Sequence, residues 1–141
     1  MAVKQISIYL DNRSGELAKV TKLLSDAGIN LRSMCIADTE RFGVLRVIAD
    51  DPAKADEVLE AAGETFRIRE LVAFSMPDRA GGLSEVLSVL AENDINMEYL
   101  YALITGKDRN KACAVMRVED NEKTERILRE NGIEVLSEED I

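Results

Sequence analysis

The chain has 141 residues, with 27 acidic against 18 basic side chains and a formal charge of −9. Such a field repels phosphate backbones, so nucleic acid is not an expected partner. The complete absence of His removes the commonest general base and the commonest metal ligand. Hydrophobic residues reach 46% while aromatics reach only 4%, so the expected core is aliphatic.

Residues Val3–Leu10 alternate in polarity, which predicts a strand. The turn Asp11-Asn12-Arg13-Ser14-Gly15 follows, and then Leu17, Val20, Leu24 and Ala27 recur at helical spacing. Ser14 fits an N-cap and Gly28 a C′ stop. Strands are predicted over Ile29–Ala37 and Phe42–Ala49, joined by Asp38-Thr39-Glu40-Arg41. Pro52 opens a second helix with Ala55, Val58, Leu59 and Ala62 on one face, which Gly63 ends. A strand around Thr65–Arg69 completes a β-α-β-β-α-β order.

The same order then recurs: strand Leu71–Met76, helix Gly82–Asn93 with Leu83, Val86, Leu87 and Leu90 inward, strands Ile95–Ile104 and Ala112–Glu119, helix Lys123–Asn131 and strand Ile133–Leu136. At an offset of 66 the pairs Arg13/Arg79, Gly15/Gly81, Leu17/Leu83, Val20/Val86, Leu24/Leu90, Ile29/Ile95 and Asn30/Asn96 are identical. The fold class is therefore α+β, two ferredoxin-like units, each an antiparallel sheet with helices on one face. The expected domains are residues 1–69 and 70–141. Cys35 and Cys113 are expected to be buried, reduced core residues. Lys107, Arg109 and Lys111 read as a solvated hairpin tip. No apolar run approaches the roughly 20 residues that span a bilayer, and the N-terminus has no signal-length apolar stretch. A cytoplasmic protein with no membrane partner is expected.

The repeated turn joins a strand to a helix N-terminus, where unpaired N–H groups and the helix dipole favour a small anion. Gly15, Gly81 and Gly82 let a ligand approach the backbone closely. Asn12 and Asp78 offer oxygens for an ammonium group, and Asn30 and Asn96 a second amide. A carboxylate site beside an ammonium site describes a free amino acid or a similar small carboxylate. Charge favours the second turn, because Asp78 is a full anion and Gly82 replaces the competing carboxylate of Glu16.

The stretches "NRSGELAKVTKLLSDAGINL" and "DRAGGLSEVLSVLAENDINM" resemble the signature turn and helix of ACT domains, small regulatory modules that bind amino acids. The resemblance covers about residues 3–67 and 70–136, and two copies without a catalytic domain are similar to stand-alone tandem ACT proteins. Ser14 and Ala80 stand where the family often has Pro, and Asp94 stands where the first copy has Gly28. The resemblance implies ligand-binding positions at Asn12, Arg13, Ser14, Gly15 and Asn30, and at Asp78, Arg79, Ala80, Gly81, Gly82, Leu83 and Asn96.

An amino-acid-binding regulatory module, with no catalysis of its own, is the leading function. The alternative is a trans-acting regulatory subunit that controls an enzyme or repressor by protein contact. An enzyme is disfavoured, since there is no Cys with a base partner, no phosphate loop and no metal-ligand spacing; no cofactor is expected. An RNA-recognition fold shares the topology but needs sheet aromatics and basic charge. Two marginally sized units with open sheet edges predict a homodimer.

Overall fold

The computed structural model describes residues 2–38, 41–104 and 110–141. Thr39 and Glu40 of the first expected hairpin, and Thr105–Arg109 of the second with its Lys107 and Arg109, lie outside the described residues. The chain forms two compact units. One is Lys4–Arg69, and the other is Glu70–Ile141 with the first residues through Val3.

In the Lys4–Arg69 unit, β1 (Val3–Asp11) leads into α1 (Glu16–Asp26), β2 (Leu31–Asp38), β3 (Phe42–Ala49), α2 (Pro52–Ala61) and the start of β4 (Phe66–Pro77). Strand order is β2-β3-β1-β4, and β3 is antiparallel to both neighbours. Ile6 lies opposite Val47 and Ile8 opposite Leu45, so alternate residues of adjacent strands present one apolar face. Val20 and Leu24 of α1 and Ala55 and Leu59 of α2 close over that face. Each fully buried Leu or Ile there is worth about 1.5–3 kcal/mol relative to exposure.

The Glu70–Ile141 unit repeats this plan with the rest of β4, α3 (Gly82–Glu92), β5 (Met97–Ala102), β6 (Lys111–Val118), α4 (Asn121–Glu130) and the short β7 (Val135–Leu136). The order is β5-β6-β4, with β7 on the other side of β4. Val72, Phe74, Ala114 and Met116 meet Val86, Leu90 and Leu128 in its core. Both units are thus ferredoxin-like, as the repeat implied.

Three local differences have physical causes. One strand, β4, replaces the two expected over Thr65–Arg69 and Leu71–Met76, because no Gly, Pro or Asn interrupts the extended backbone between them. Strands β2 and β5 start later than the spacing suggested, because the chain is still closing the preceding helices. The four α-helices among the described residues end alike. A left-handed residue, Gly28, Gly63, Asp94 or Gly132, donates back to the helix (to Ser25, Glu60, Ala91 and Arg129), and the next residue donates one position further back (Leu24, Leu59, Leu90, Leu128). Finally, Leu83 was expected inside but is 37% exposed, and its counterpart Leu17 is 39% exposed; each sits in the first turn of its helix. Cys35 and Cys113 are reduced, as expected, but only half-buried rather than core residues.

Gly82 is buried, and a Cβ at that position meets the Pro77 carbonyl oxygen at 2.2 Å. The clash is with backbone, so the turn itself must move. Gly82→Ala is expected to cost about 1–3 kcal/mol in urea unfolding. Gly43→Ala, where a Cβ meets nothing within 4 Å, should stay within about 0.5 kcal/mol of the parent.

Candidate functional site

The repeated turn has one geometry in both units. Gly15 sits at φ 90°, ψ −13° and Gly81 at φ 89°, ψ −11°, each as the N-cap of its helix. This is left-handed backbone, which glycine adopts at little steric cost. Ser14 is therefore not the cap, and no side chain caps either helix. The other two helices are capped: the Asp51 carboxylate accepts from the Lys54 N–H at 3.0 Å, and Asp120 from the Lys123 N–H at 2.9 Å. The helices that follow the repeated turn thus start without the carboxylate that the others carry.

In the first unit the turn borders a cavity of about 380 Å³, lined by Asp11, Asn12, Arg13, Glu16 and Gly43 with the apolar Leu10, Leu17, Ile36 and Leu45. Arg13 reaches Asp11 at 2.6 Å, an exposed pair. The cavity therefore offers one amide, acidic oxygens partly offset by a guanidinium, and an aliphatic wall. Gly43 contributes empty space rather than a side chain.

In the second unit the equivalent turn is arranged differently. The space at Gly82, expected to stand open for a ligand, is occupied by the Pro77 carbonyl. Arg79 pairs with Glu85 at 2.7 Å and donates to the Ala80 carbonyl at 3.2 Å. A cavity of about 340 Å³ lies nearby, between the end of β4, the start of β6 and the segment before β7, lined by Ser75, Met76, Pro77, Asn110, Lys111, Gly132 and Glu134. Glu134 accepts from both Lys111 Nζ and Ser75 Oγ at 2.8 Å. These two donors hold its carboxyl below the usual glutamate range. Lys111 is thus an ion-pair partner at the start of β6, not a solvated tip residue.

Asn30 and Asn96 are not brought to their turns. Each follows the C-terminal end of its helix, whereas Asn12 and Asp78 precede the N-terminal end. An 11-residue helix separates them, roughly 16 Å at 1.5 Å per residue. Asn30 instead ties the backbone to Asp50, donating its N–H to the Asp50 carboxylate and accepting the Asp50 N–H, both at 3.0 Å. Sequence reasoning missed Ile36, Gly43 and Leu45 as cavity walls, and Ser75, Lys111 and Glu134 as a cluster. The alternation of β2 and β3 contained the first group, but only strand register brings them to the Asn12 turn.

Among the described residues no group of three His, Cys, Asp or Glu is placed to hold a metal ion, and no helix is long and apolar enough to cross a membrane. A family model described as an ACT domain pair matches residues 1–141. A crystal structure of a protein from Bacteroides thetaiotaomicron is 36% identical, with a TM-score of 0.92 over 99% of this chain and 95% of that one. The ligand-free regulatory subunit of aspartate kinase from Thermus thermophilus shares the fold at 17% identity and TM-score 0.67, over 92% of this chain and 93% of that one. The corresponding subunit from Thermus flavus does so at 18% identity and TM-score 0.63, over 92% of each chain. No curated protein matches the sequence. The chain belongs to the family of ACT domain pairs.

Proposed function

We propose that this ACT domain pair, with ACT domains at residues 1–69 and 70–141, is a cytoplasmic, homodimeric regulatory module that binds a free amino acid and performs no catalysis of its own. The observation that carries the reading is the cavity at the first turn, which lies against a helix N-terminus that no side chain caps. The α-carboxylate of the ligand takes the first-turn N–H groups of α1. The Asn12 amide oxygen and the Glu16 carboxylate receive the ammonium group. Leu10, Leu17, Ile36 and Leu45 accept an aliphatic side chain, so small apolar amino acids fit this wall better than charged ones. The second turn, which charge alone favours, lacks the open volume at Gly82. A second reading, control of an enzyme by protein contact, is supported by the exposure of Phe42 (55%) and Ile104 (64%).

Thermal unfolding against the twenty amino acids tests the binding. A ligand at a hundred times its dissociation constant adds about 2.7 kcal/mol to stability, and none of the twenty doing so removes the reading. Gly43→Val should fill the cavity and abolish that stabilisation while leaving the unliganded protein folded. Asn12→Ala should weaken affinity about ten- to a hundredfold, and Asp78→Ala should leave it unchanged. The reverse pattern, loss with Asp78→Ala and full binding with Gly43→Val, moves the site to the second turn.

A further inference from the structure

At one place the two units share a backbone but differ in the chemistry of their side chains. The Tyr9 N–H donates to the Thr65 carbonyl as the Ser75 N–H does to the Glu134 carbonyl, both at 2.9 Å. Phe42 lies opposite Asp11 as Lys111 lies opposite Pro77. Tyr9, Thr65 and Phe42 of the first unit therefore stand where the second has Ser75, Glu134 and Lys111. Two aromatic rings, at residues 37% and 55% exposed, give way to a hydroxyl and an ammonium group that both bond one carboxylate. The cavity of about 340 Å³ that they line is at the small end of the range for ligand sites.

The bonding within this cluster is one-sided. Ser75 Oγ and Lys111 Nζ both donate to Oε2 of Glu134, and no described residue donates to Oε1. A carboxylate is thus held in place with one oxygen left for an incoming donor. Beside it stands the Lys111 ammonium, which carries three hydrogens. The two charges balance, and an ion drawn to either one meets the opposite effect from the other, 2.8 Å away. A neutral group with an N–H next to a C=O gains from both. We infer that this cavity binds a small uncharged molecule by an amide edge, its N–H donated to Glu134 Oε1 and its C=O accepting from Lys111 Nζ. Cyclic amides and imides present those two groups side by side. Each bond has one charged partner, which makes it about twice as strong as a neutral one. Met76 and Pro77 give the ring an apolar wall, and Gly132, where a Cβ would meet nothing within 4 Å, leaves room for it.

This site is independent of amino-acid binding at the first turn. The probes are uracil and succinimide, which carry the amide edge, and N-methylsuccinimide, which keeps the ring but has no N–H. Acetate, ethylamine and free glycine supply the anion, the cation and the zwitterion. In amide NMR of the isotope-labelled full chain, uracil or succinimide should shift the Ser75, Lys111 and Glu134 resonances to saturation. N-methylsuccinimide and the three charged probes should bind at least tenfold more weakly. Glu134→Ala and Lys111→Met should each lower the affinity at least tenfold, with circular dichroism confirming that both variants fold. Gly43→Val should bind the cyclic amides as the parent does, which separates this site from the first turn. Failure of both cyclic amides to saturate these resonances overturns the site. Equal binding of N-methylsuccinimide, or tighter binding of a charged probe, overturns the amide edge, and affinity that survives both Glu134→Ala and Lys111→Met overturns the assignment to this cluster.

Discussion

A glycine held near φ 90° between a strand and a helix is the constraint on which the candidate site depends. Gly15 and Gly81 take the N-cap position in a conformation that L side chains rarely adopt. By doing so they displace the Ser or Asp that would otherwise cap the helix, and α2 and α4 show what that alternative looks like, with Asp51 and Asp120 bonded to the first turn. The positive end of α1 is left for something else to satisfy. Everything proposed for the first turn, from carboxylate placement to the role of Asn12, follows from that omission.

The repeat and the order of elements were legible because they rest on local patterns: period-two alternation in Val3–Leu10, three- and four-residue spacing from Leu17, and glycine stops at Gly28 and Gly63. The cap was misread because Ser14 satisfies the statistical preference, whereas the backbone beside it requires Gly15 to turn left-handed. The exposure of Leu83 was hidden for a related reason. Helical spacing says which residues share a face but not where the opposing sheet ends. The cluster of Ser75, Lys111 and Glu134 was invisible because 59 residues separate Ser75 from its carboxylate partner, and only the packing of β6 and the β7 segment against β4 joins them. The placement of Asn30 at the far end of α1 needed no structure: a helix between two residues holds them apart by its own length.

Charge and shape disagree about the two turns, and magnitudes favour shape. Asp78 offers a stronger hydrogen-bond acceptor than Asn12 does, an advantage of about a factor of two in bond strength. The Cβ direction of Gly82 faces the Pro77 carbonyl, so that side of the second turn is filled by backbone and not by open space. The guanidinium groups decide little. Arg13 and Arg79 each have a carboxylate within 2.7 Å, and these exposed pairs contribute about 0–1 kcal/mol.

The contact between Gly82 and the Pro77 carbonyl also constrains how the two halves of a duplicated chain can diverge. Any side chain at position 82 displaces the turn backbone, so substitution there carries a cost in stability. Its counterpart, Glu16, stands in a half-open position on a cavity wall and accepts changes of charge or size at small cost to the fold. Size and charge can therefore be varied at the first turn at a smaller cost to the fold than at the second.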